Sequence, residues 1–426
     1  MKILLVTAGF VPDGLGGVEL SLQRFAKWAA REGHEILVYR RYDRPGAEDF
    51  TFHEEVVEGT RVVGVNYRFG DASTFQHLVE NASHKKAFAE VLAGFRPDVV
   101  HLHHATCLTT EIVDAAQEAG VPVVVSLHDY WLGCPRGQRM RADLSYCPSI
   151  EVERCTRCYR ETWPFWFPKE PDRAFDQRVF GDYQGRIRET LDRADALIAP
   201  SKFTRRVFAR DGVDERRIEI VEYGLDVELY RGPRRPERSK SARFRIGYLG
   251  TLLPSKGAHL LVDAFKRIGG SDRSLELHGP VLPFHQDTTY GERLKRQIAG
   301  WEAQITLHGA YAPERTPALL AGLDCLVVPS IWYETYCMVI REGFLADVPV
   351  VASNFGAMAE AIEDEKTGLL FDVGDAVDLA RKLALLARDG ELRQRLAQSR
   401  KRVVTTAENG AQTVAIYERL LGARRR

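Results

Sequence analysis

Short apolar runs rich in β-branched residues alternate with amphipathic stretches along the first half of the chain. Ile3 to Val6 forms such a run, residues 18–29 carry apolar side chains at helical spacing, and Ile36 to Tyr39 forms the next run. This order is typical of a βαβ unit, in which parallel strands are buried on both faces. Further runs predict strands at 98–102, 121–127 and 196–199. The first half is therefore predicted to be a parallel sheet covered by helices.

The alternation stops near residue 231 and begins again at Phe244. Residues 231–241 are rich in Arg, Pro, Glu, Ser and Lys and lack apolar periodicity, as linkers do. Beyond them we predict a helix from about Lys256 and strands at 244–249, 275–278, 325–328 and 349–352. The sequence thus predicts two doubly wound α/β domains, residues 1–235 and 241–406, followed by a C-terminal helix over residues 407–426.

The charge balance narrows the classes of partner. The chain has 59 lysine and arginine residues and 59 aspartate and glutamate residues. It therefore has no net positive charge that would attract nucleic acid. No stretch approaches the roughly 20 apolar residues that span a bilayer, and the first residues lack signal-peptide architecture. These features predict a cytoplasmic protein whose partners do not include nucleic acid.

A glycine-rich loop follows the first predicted strand. Gly14-Leu15-Gly16-Gly17 precedes the first helix, where glycine lets the backbone approach a ligand and free N–H groups attract an anion. Its spacing differs from the glycine pattern of nicotinamide-binding folds. The loop therefore indicates either an anion site or a tight connection.

Two glutamates follow a predicted strand in the second half. Pro329-Ser330 ends the strand, and Glu334 and Glu342 lie near the predicted start of a helix with seven residues between them. On a helix this spacing brings both carboxylates to a similar face, where they can accept hydrogen bonds from a sugar and a ribose. The alternative is one capping and one solvated glutamate.

The order of these motifs resembles that of the group 1, family 4-like, retaining glycosyltransferases, over nearly the whole chain. The resemblance implies a GT-B fold, in which two Rossmann-like domains face each other across a cleft. It places the nucleotide-sugar donor in the second domain and the acceptor facing the first, with the C-terminal helix crossing back to the first. The motifs that carry it are Gly16-Gly17, Ser126-Leu127-His128, Gly250 with Lys256-Gly257, Pro329-Ser330, Glu334 to Glu342, Pro349 to Ser353, and Gly356.

The resemblance also implies roles for single residues. Glu334 matches the glutamate beside the transferred sugar, and Glu342 the one that accepts the ribose hydroxyls. Lys256 matches the cation on the diphosphate, and His128 the histidine near the reacting sugar. Because Lys256 and backbone amides can stabilise the leaving diphosphate, no catalytic metal is expected. The remaining implied donor-binding residues are Gly16, Gly17, Gly250, Thr251, Thr335, Tyr336 and Cys337.

One position departs from the family pattern. Thr251 stands where many relatives carry arginine after Gly250, and a hydroxyl does not reproduce the planar fork of a guanidinium. Either Lys256 suffices for the diphosphate, or Arg205 or another cation compensates, or activity is weak.

The expected function is a hexosyltransferase-like transfer from a UDP or GDP sugar to a sugar, lipid-linked or small-molecule acceptor. Such a reaction belongs to the biosynthesis of glycans, polysaccharides or glycolipids. The alternatives keep the fold but change the chemistry: a nucleotide-sugar epimerase, a phosphorylase, or a non-catalytic nucleotide-sugar-binding protein.

A cysteine-rich insert at about residues 130–170 carries Cys134, Cys147, Cys155 and Cys158. The two-residue gap between Cys155 and Cys158 suits a shared metal ion, and four thiolates complete the tetrahedral set of a structural zinc site. The alternative is reduced thiols or one labile disulfide.

The same insert is rich in arginine and ends in the aromatic segment Trp163 to Phe167. This mixture indicates a phosphate-bearing or lipid-linked acceptor, and with it peripheral contact at the inner face of the membrane. The alternative is aromatic rings packed under a basic flap.

Overall fold

The computed structural model describes residues 1–14, 16–232, 243–285, 287–399 and 401–424, which group into two units. Unit 1 comprises Met1–Ala142, Cys147–Gly224 and Thr406–Arg426, and unit 2 comprises Asp143–Tyr146 and Leu225–Thr405. Leu15 of the glycine loop and residues 233–241 of the predicted linker lie outside the described residues.

Unit 1 is built on a mainly parallel sheet. Its strands are β1 Lys2–Thr7, β2 Glu35–Tyr42, β3 Phe52–Val57, β4 Thr60–Asn66, β5 Val99–Leu102, β6 Val123–Ser126, β7 Ala196–Ala199 and β8 Ile218–Ile220. They lie in the order β3-β4-β2-β1-β5-β6-β7-β8. Neighbours pair in parallel except β3 and β4, which pair antiparallel. Residues 3–6 of the central strand β1 are fully buried, as expected where helices cover both faces of a sheet.

The helices of unit 1 are α1 Gly17–Arg31, α2 Ala82–Phe95, α3 Glu111–Glu118, α4 Val152–Thr162, α5 Arg173–Arg193, α6 Lys202–Arg210 and, from the end of the chain, α14 Thr406–Arg424. The C-terminal helix α14 packs closely against α1. A Cβ atom on Gly410 would lie 2.1 Å from the Trp28 ring, and the rings of Phe25 and Tyr417 meet edge to face at 6.3 Å. Glycine at position 410 therefore lets α14 complete the core of unit 1.

Unit 2 has a fully parallel sheet. Its strands are β9 Phe244–Leu249, β10 Arg273–His278, β11 Ile305–Gly309, β12 Cys325–Val328, β13 Val350–Ser353 and β14 Leu369–Phe371, in the order β11-β10-β9-β12-β13-β14. Its helices are α7 Ala258–Ile268, α8 Tyr290–Ile298, α9 Thr316–Ala321, α10 Met338–Leu345, α11 Gly356–Ala361, α12 Ala376–Arg388 and α13 Gly390–Gln398. The predicted class, two doubly wound α/β sheets, is confirmed.

The structure differs from the sequence-based expectation at strands and at the unit boundary. The strands β3, β4, β8, β11 and β14 fall outside the predicted strands. β8 and β14 have only three residues each, β3 and β11 are partly exposed edge strands, and Gly64 interrupts the apolar run of β4. Residues 225–232 group with unit 2, since the Leu225 N–H donates to the Val404 carbonyl at 2.9 Å. Residues 143–146 of the insert also group with unit 2, where Tyr146 contacts the rings of Tyr333 and Phe355.

No helix in the described ranges is both long and apolar enough to cross a bilayer.

Candidate active site

A glycine turn positions Lys256 beyond the carboxyl end of β9. Gly257 follows with a φ of +71°, a left-handed conformation that favours glycine. A Cβ atom here would lie 1.9 Å from the carbonyl oxygen of Pro329, which follows β12. Since β9 and β12 are paired neighbours, the Lys256-Gly257 motif is a packing requirement: only glycine lets the two loops touch.

Lys256, Ser330 and Glu334 form one hydrogen-bonded cluster. The Lys256 ammonium and the Ser330 hydroxyl both donate to Glu334 Oε1, each at 2.7 Å. The Glu334 side chain is 6% exposed and that of Lys256 is 27% exposed. The ammonium also lies 5.1 Å from the centre of the Trp332 ring. The lysine and glutamate predicted from sequence are thus in direct contact, with the cation the more exposed of the two.

The two glutamates do not share a helix, so the predicted common helix face is wrong. α10 begins only at Met338, and Cys337 before it has a left-handed φ of +64°. Residues 334–337, including Thr335 and Tyr336, therefore form a loop. Glu342 lies within α10, while Glu334 is positioned by its loop and by Ser330.

A second glycine supports this loop from α11. Gly356 has a φ of +61°, and a Cβ atom on it would lie 3.3 Å from both the backbone nitrogen and oxygen of Glu334. The next residue, Ala357, donates its N–H to the Glu334 carbonyl at 3.1 Å. The glycine therefore allows α11 to hold the backbone of Glu334 in place.

Arg341 is a site residue that the sequence pattern did not single out. Its side chain is buried, its guanidinium donates to the Tyr336 carbonyl, and it stacks on the Tyr336 ring at 3.9 Å. Arg341 is a residue of α10, and its side chain holds the loop that precedes this helix. An arginine among apolar neighbours in the predicted helix was the available sign, since arginine is rarely buried without a partner.

The Glu342 carboxylate lies near a different part of unit 2. Burial raises the pKa of the Tyr311 hydroxyl, and the negative charge of Glu342 raises that pKa further. This places the carboxylate near the residues that follow β11.

Gly250 and Thr251 form the turn after β9. A Cβ atom on Gly279 would lie 1.8 Å from the Gly250 carbonyl oxygen, so the ends of β9 and β10 pass very close here. The Tyr248 hydroxyl donates to the Thr251 carbonyl at 2.7 Å. Arg205, considered above as a substitute cation, lies in unit 1, where its Nε is 2.9 Å from Glu215 Oε1.

The glycine loop of unit 1 is covered by a carboxylate. α1 begins at Gly17, and Gly16 is its N-cap residue without a side-chain capping bond. A Cβ atom on Gly16 would lie 2.5 Å from Glu19 Oε2, and one on Gly9 would lie 3.5 Å from Glu19 Oε1. The helix N-terminus favours this negative charge, so the predicted anion position is next to an anion of the protein itself.

His128 follows β6 and belongs to a buried chain of rings. Its Nε2 lies 2.8 Å from His103 Nδ1, and its Nδ1 is hydrogen-bonded to the Tyr223 hydroxyl. Burial, and after it the charge of His103 and His104, lowers the pKa of His128 well below its usual value. His128 is therefore neutral at pH 7, with both ring nitrogens engaged. His103 and Tyr223 were missed from sequence, although the dense histidines at 101–104 pointed to this strand end.

The four cysteines of the insert line one cavity of about 20 Å³, and all are free thiols. Burial raises the pKa of Cys155 to about 11 and that of Cys158 to about 12, so both are protonated at pH 7. Within the described ranges, no group of three or more His, Cys, Asp and Glu side chains is arranged to hold a metal ion. The predicted ligands, which also include Cys134 and Cys147, are thus gathered as a thiol cluster without a formed coordination shell.

The aromatic segment after α4 is mostly packed against the fold. The rings of Trp163, Trp166 and Phe167 all contact the buried Phe75, whereas Phe165 is 66% exposed. This favours the packed-ring alternative for three of the four rings.

Models of two known families match the chain. One, described as Glycosyltransferase Family 4, matches residues 15–229, and one described as Glycosyl transferases group 1 matches residues 233–403. The chain is 24% identical over 426 residues to the D-inositol 3-phosphate glycosyltransferase of Corynebacterium glutamicum, covering 94% of this chain and 91% of that protein. It is 25% identical over 434 residues to the GDP-mannose-dependent alpha-mannosyltransferase of Mycolicibacterium smegmatis, covering 100% and 99%. The crystal structure of Anabaena HepE in complex with UDP and glucose is similar with a TM-score of 0.66 at 20% identity, covering 98% of this chain and 99% of that one.

Proposed function

We propose, because this chain belongs to glycosyltransferase family 4, that it is a retaining, metal-independent hexosyltransferase. It is a glycosyltransferase of glycan biosynthesis that takes a sugar from a nucleotide-sugar donor. Its two Rossmann-like parallel sheets are those of a GT-B glycosyltransferase, as the sequence predicted. Membership in this family favours transfer over the epimerase, phosphorylase and binding-protein alternatives.

The cluster of Lys256, Ser330 and Glu334 is the observation that carries the proposal. When the bond between the sugar and the diphosphate breaks, negative charge develops on the departing diphosphate. The Lys256 ammonium, held by Glu334 at 2.7 Å but partly exposed, is positioned for that charge. A preorganised donor of this kind typically contributes about 10²–10³-fold in rate. Glu334 in turn orients the sugar through its hydroxyls, and Glu342 accepts the ribose hydroxyls.

Retention follows from attack on the face that the diphosphate leaves. The bond from the anomeric carbon to the phosphate oxygen breaks, the bond to the acceptor oxygen forms, and the acceptor proton passes to the departing phosphate oxygen. We assign this proton to the phosphate because Glu334 Oε1 already accepts from Lys256 and Ser330, and both ring nitrogens of His128 are hydrogen-bonded. His128, whose buried ring is neutral, therefore has no proton-accepting role in this proposal.

Lys256 and the backbone N–H groups of residues 335–337 replace a catalytic cation in this proposal. The donor is a UDP or GDP sugar: one relative is named GDP-mannose-dependent, and HepE binds UDP. The acceptor is a sugar or a lipid-linked or small phosphate-bearing molecule, in line with the inositol phosphate in the name of another relative. We place the enzyme in the cytoplasm, with the exposed Phe165 at the inner membrane face when the acceptor is lipid-linked.

Product analysis tests this function. The protein is incubated briefly in excess EDTA with UDP or GDP sugars and inositol phosphate or sugar acceptors, and released nucleoside diphosphate and the anomeric configuration of the product are measured. We expect acceptor-dependent release, little effect of EDTA, and the same anomeric configuration in donor and product. An inverted product would contradict retention, and immediate loss of activity restored by Mg²⁺ or Mn²⁺ would contradict metal independence.

A further inference from the structure

We propose that Cys134, Cys147, Cys155 and Cys158 bind one zinc ion as a structural tetrathiolate site, with Arg139 as its buried charge partner. The site lies wholly in unit 1 and is independent of the proposed transfer reaction. Its four sulfurs leave no open position for substrate, so the metal is architectural.

The cavity has the size and the lining that such an ion needs. Its volume of about 20 Å³ exceeds the roughly 10–15 Å³ that one water-sized occupant requires. Cys155 and Cys158 lie three positions apart on α4, which brings both thiols to one face of the helix. Cys134 and Cys147 reach the same cavity from the preceding loop. One ion would therefore tie that loop to α4.

Arg139 independently supports an anionic group in this cavity. It lines the same cavity, is 2% exposed, and pairs with Asp211 through Nη2 only. Its Nε and Nη1 are buried without a hydrogen-bond partner, which is rare and costly for a charged group. Neutral thiols are weak acceptors, whereas a zinc ion with four thiolates carries a charge of −2 and offers sulfur acceptors to these N–H groups.

Binding must rearrange the thiols, since they do not form a shell as placed. The Cys147 thiol donates to the Ser149 carbonyl at 3.3 Å and has to give up that bond. One Zn²⁺ replaces the protons of the four thiols, which pass to solvent, and no oxidant or reductant is involved. Metal content is therefore expected to fall as the pH is lowered.

Elemental analysis of full-length, untagged protein purified under reducing conditions tests the proposal. We expect about one zinc per chain, and less than about one fifth of that in Cys155→Ser and Cys158→Ser. Cys107→Ser is the matched control, because Cys107 is a free cysteine of unit 1 that does not line the cavity. If the serine variants fail to fold, thiol-specific mercurial titration of the wild-type protein should release the zinc in step with the loss of four thiols.

Arg139 is tested by competition for zinc with a chelator. Arg139→Gln should weaken zinc binding about 10–100-fold, as loss of a hydrogen-bond donor to a metal ligand does, while Arg157→Gln, at an exposed position of α4, should match wild type. Equal affinity in Arg139→Gln and wild type would refute the charge-partner role. Absence of zinc or another transition metal with all four thiols titratable, or their isolation as disulfides, would overturn the site itself.

Discussion

The polar clusters of the two units differ in charge and in exposure to solvent. In unit 2, Lys256 and Glu334 form a charged contact whose cation remains 27% exposed. In unit 1, His101, His103 and His128 are buried, and desolvation lowers the pKa of each well below 6.5, so they are neutral. Unit 2 therefore holds a partly exposed cation, which the proposed diphosphate site requires, whereas the rings of unit 1 are uncharged.

The glycine loops show the same contrast. Gly257 brings the backbone against Pro329 and leaves Lys256 beside Glu334. Gly16, at the start of α1, lies under the carboxylate of Glu19. A diphosphate would meet a cation at the first loop and a like charge at the second. The position of Glu19 therefore favours the tight-connection alternative for the glycine loop of unit 1.

Removing the cation of unit 2 should have the largest effect. Lys256→Ala is expected to lower kcat/KM by about 10²–10³-fold, because the charge meets the diphosphate both before and during its departure. Initial rates over a range of donor concentrations measure this. Lys295→Ala, which removes an exposed lysine of α8 paired with Glu292, is the control and should retain wild-type rates. Full activity in Lys256→Ala would place the diphosphate elsewhere.

Disturbing the turn that carries this cation should have an intermediate effect. Gly257→Ala is expected to lower the free energy of unfolding by about 1–3 kcal/mol and to impair turnover, because the new methyl group collides with the Pro329 carbonyl. Gly300→Ala is the matched control: Gly300 has a similar φ of +81° but nothing within 4 Å of an added Cβ. Urea unfolding of both variants separates collision from backbone strain, and equal losses would show that the contact with Pro329 is unimportant.

Acidification should destabilise unit 1, with four buried histidines, more than unit 2, where burial lowers the pKa of His278 to about 4 and that of His259 below 6.5. Burial lowers the pKa of His84 to about 4 and the pKa values of His101, His103 and His128 well below 6.5. Below pH 6.5 the unfolded chain binds more protons at these sites, so stability present above that pH is lost on acidification. Each such histidine contributes up to about 1.4 kcal/mol per pH unit.

Urea unfolding between pH 7.5 and 5, followed by hydrogen exchange, measures this loss. We expect protection from exchange to fall first in β5, which contains His101, and in β6, which precedes His128. A stability that is constant over this range, or an earlier loss of protection in β9 and β12, would reverse the comparison between the units.

Most of the fold could be predicted from the sequence, because buried parallel strands are continuous apolar runs. β7, β9 and β12 have the bounds that their runs predict. The edge strand β3 could not be found this way, since it is partly exposed along its whole length, and in its neighbour β4 Gly64 interrupts the apolar run. The start of α10 was misplaced because the left-handed Cys337 that delays it leaves no mark in the hydrophobic pattern.

The sequence by itself determined which residue types are available: a lysine before a glycine, a serine after a proline, and a glutamate four residues later. Tertiary structure decided that Lys256 and Glu334, 78 positions apart, touch, and that both nitrogens of His128 are occupied. It also decided that Glu19 covers the glycine loop and that four thiols and Arg139 share a cavity. The hydrophobic pattern of a segment predicts its helix or strand, because that pattern determines which of its side chains are buried. Contacts between the ends of different strands depend instead on the order of strands in the sheet and on how closely the backbones approach, which the packing of the whole unit determines.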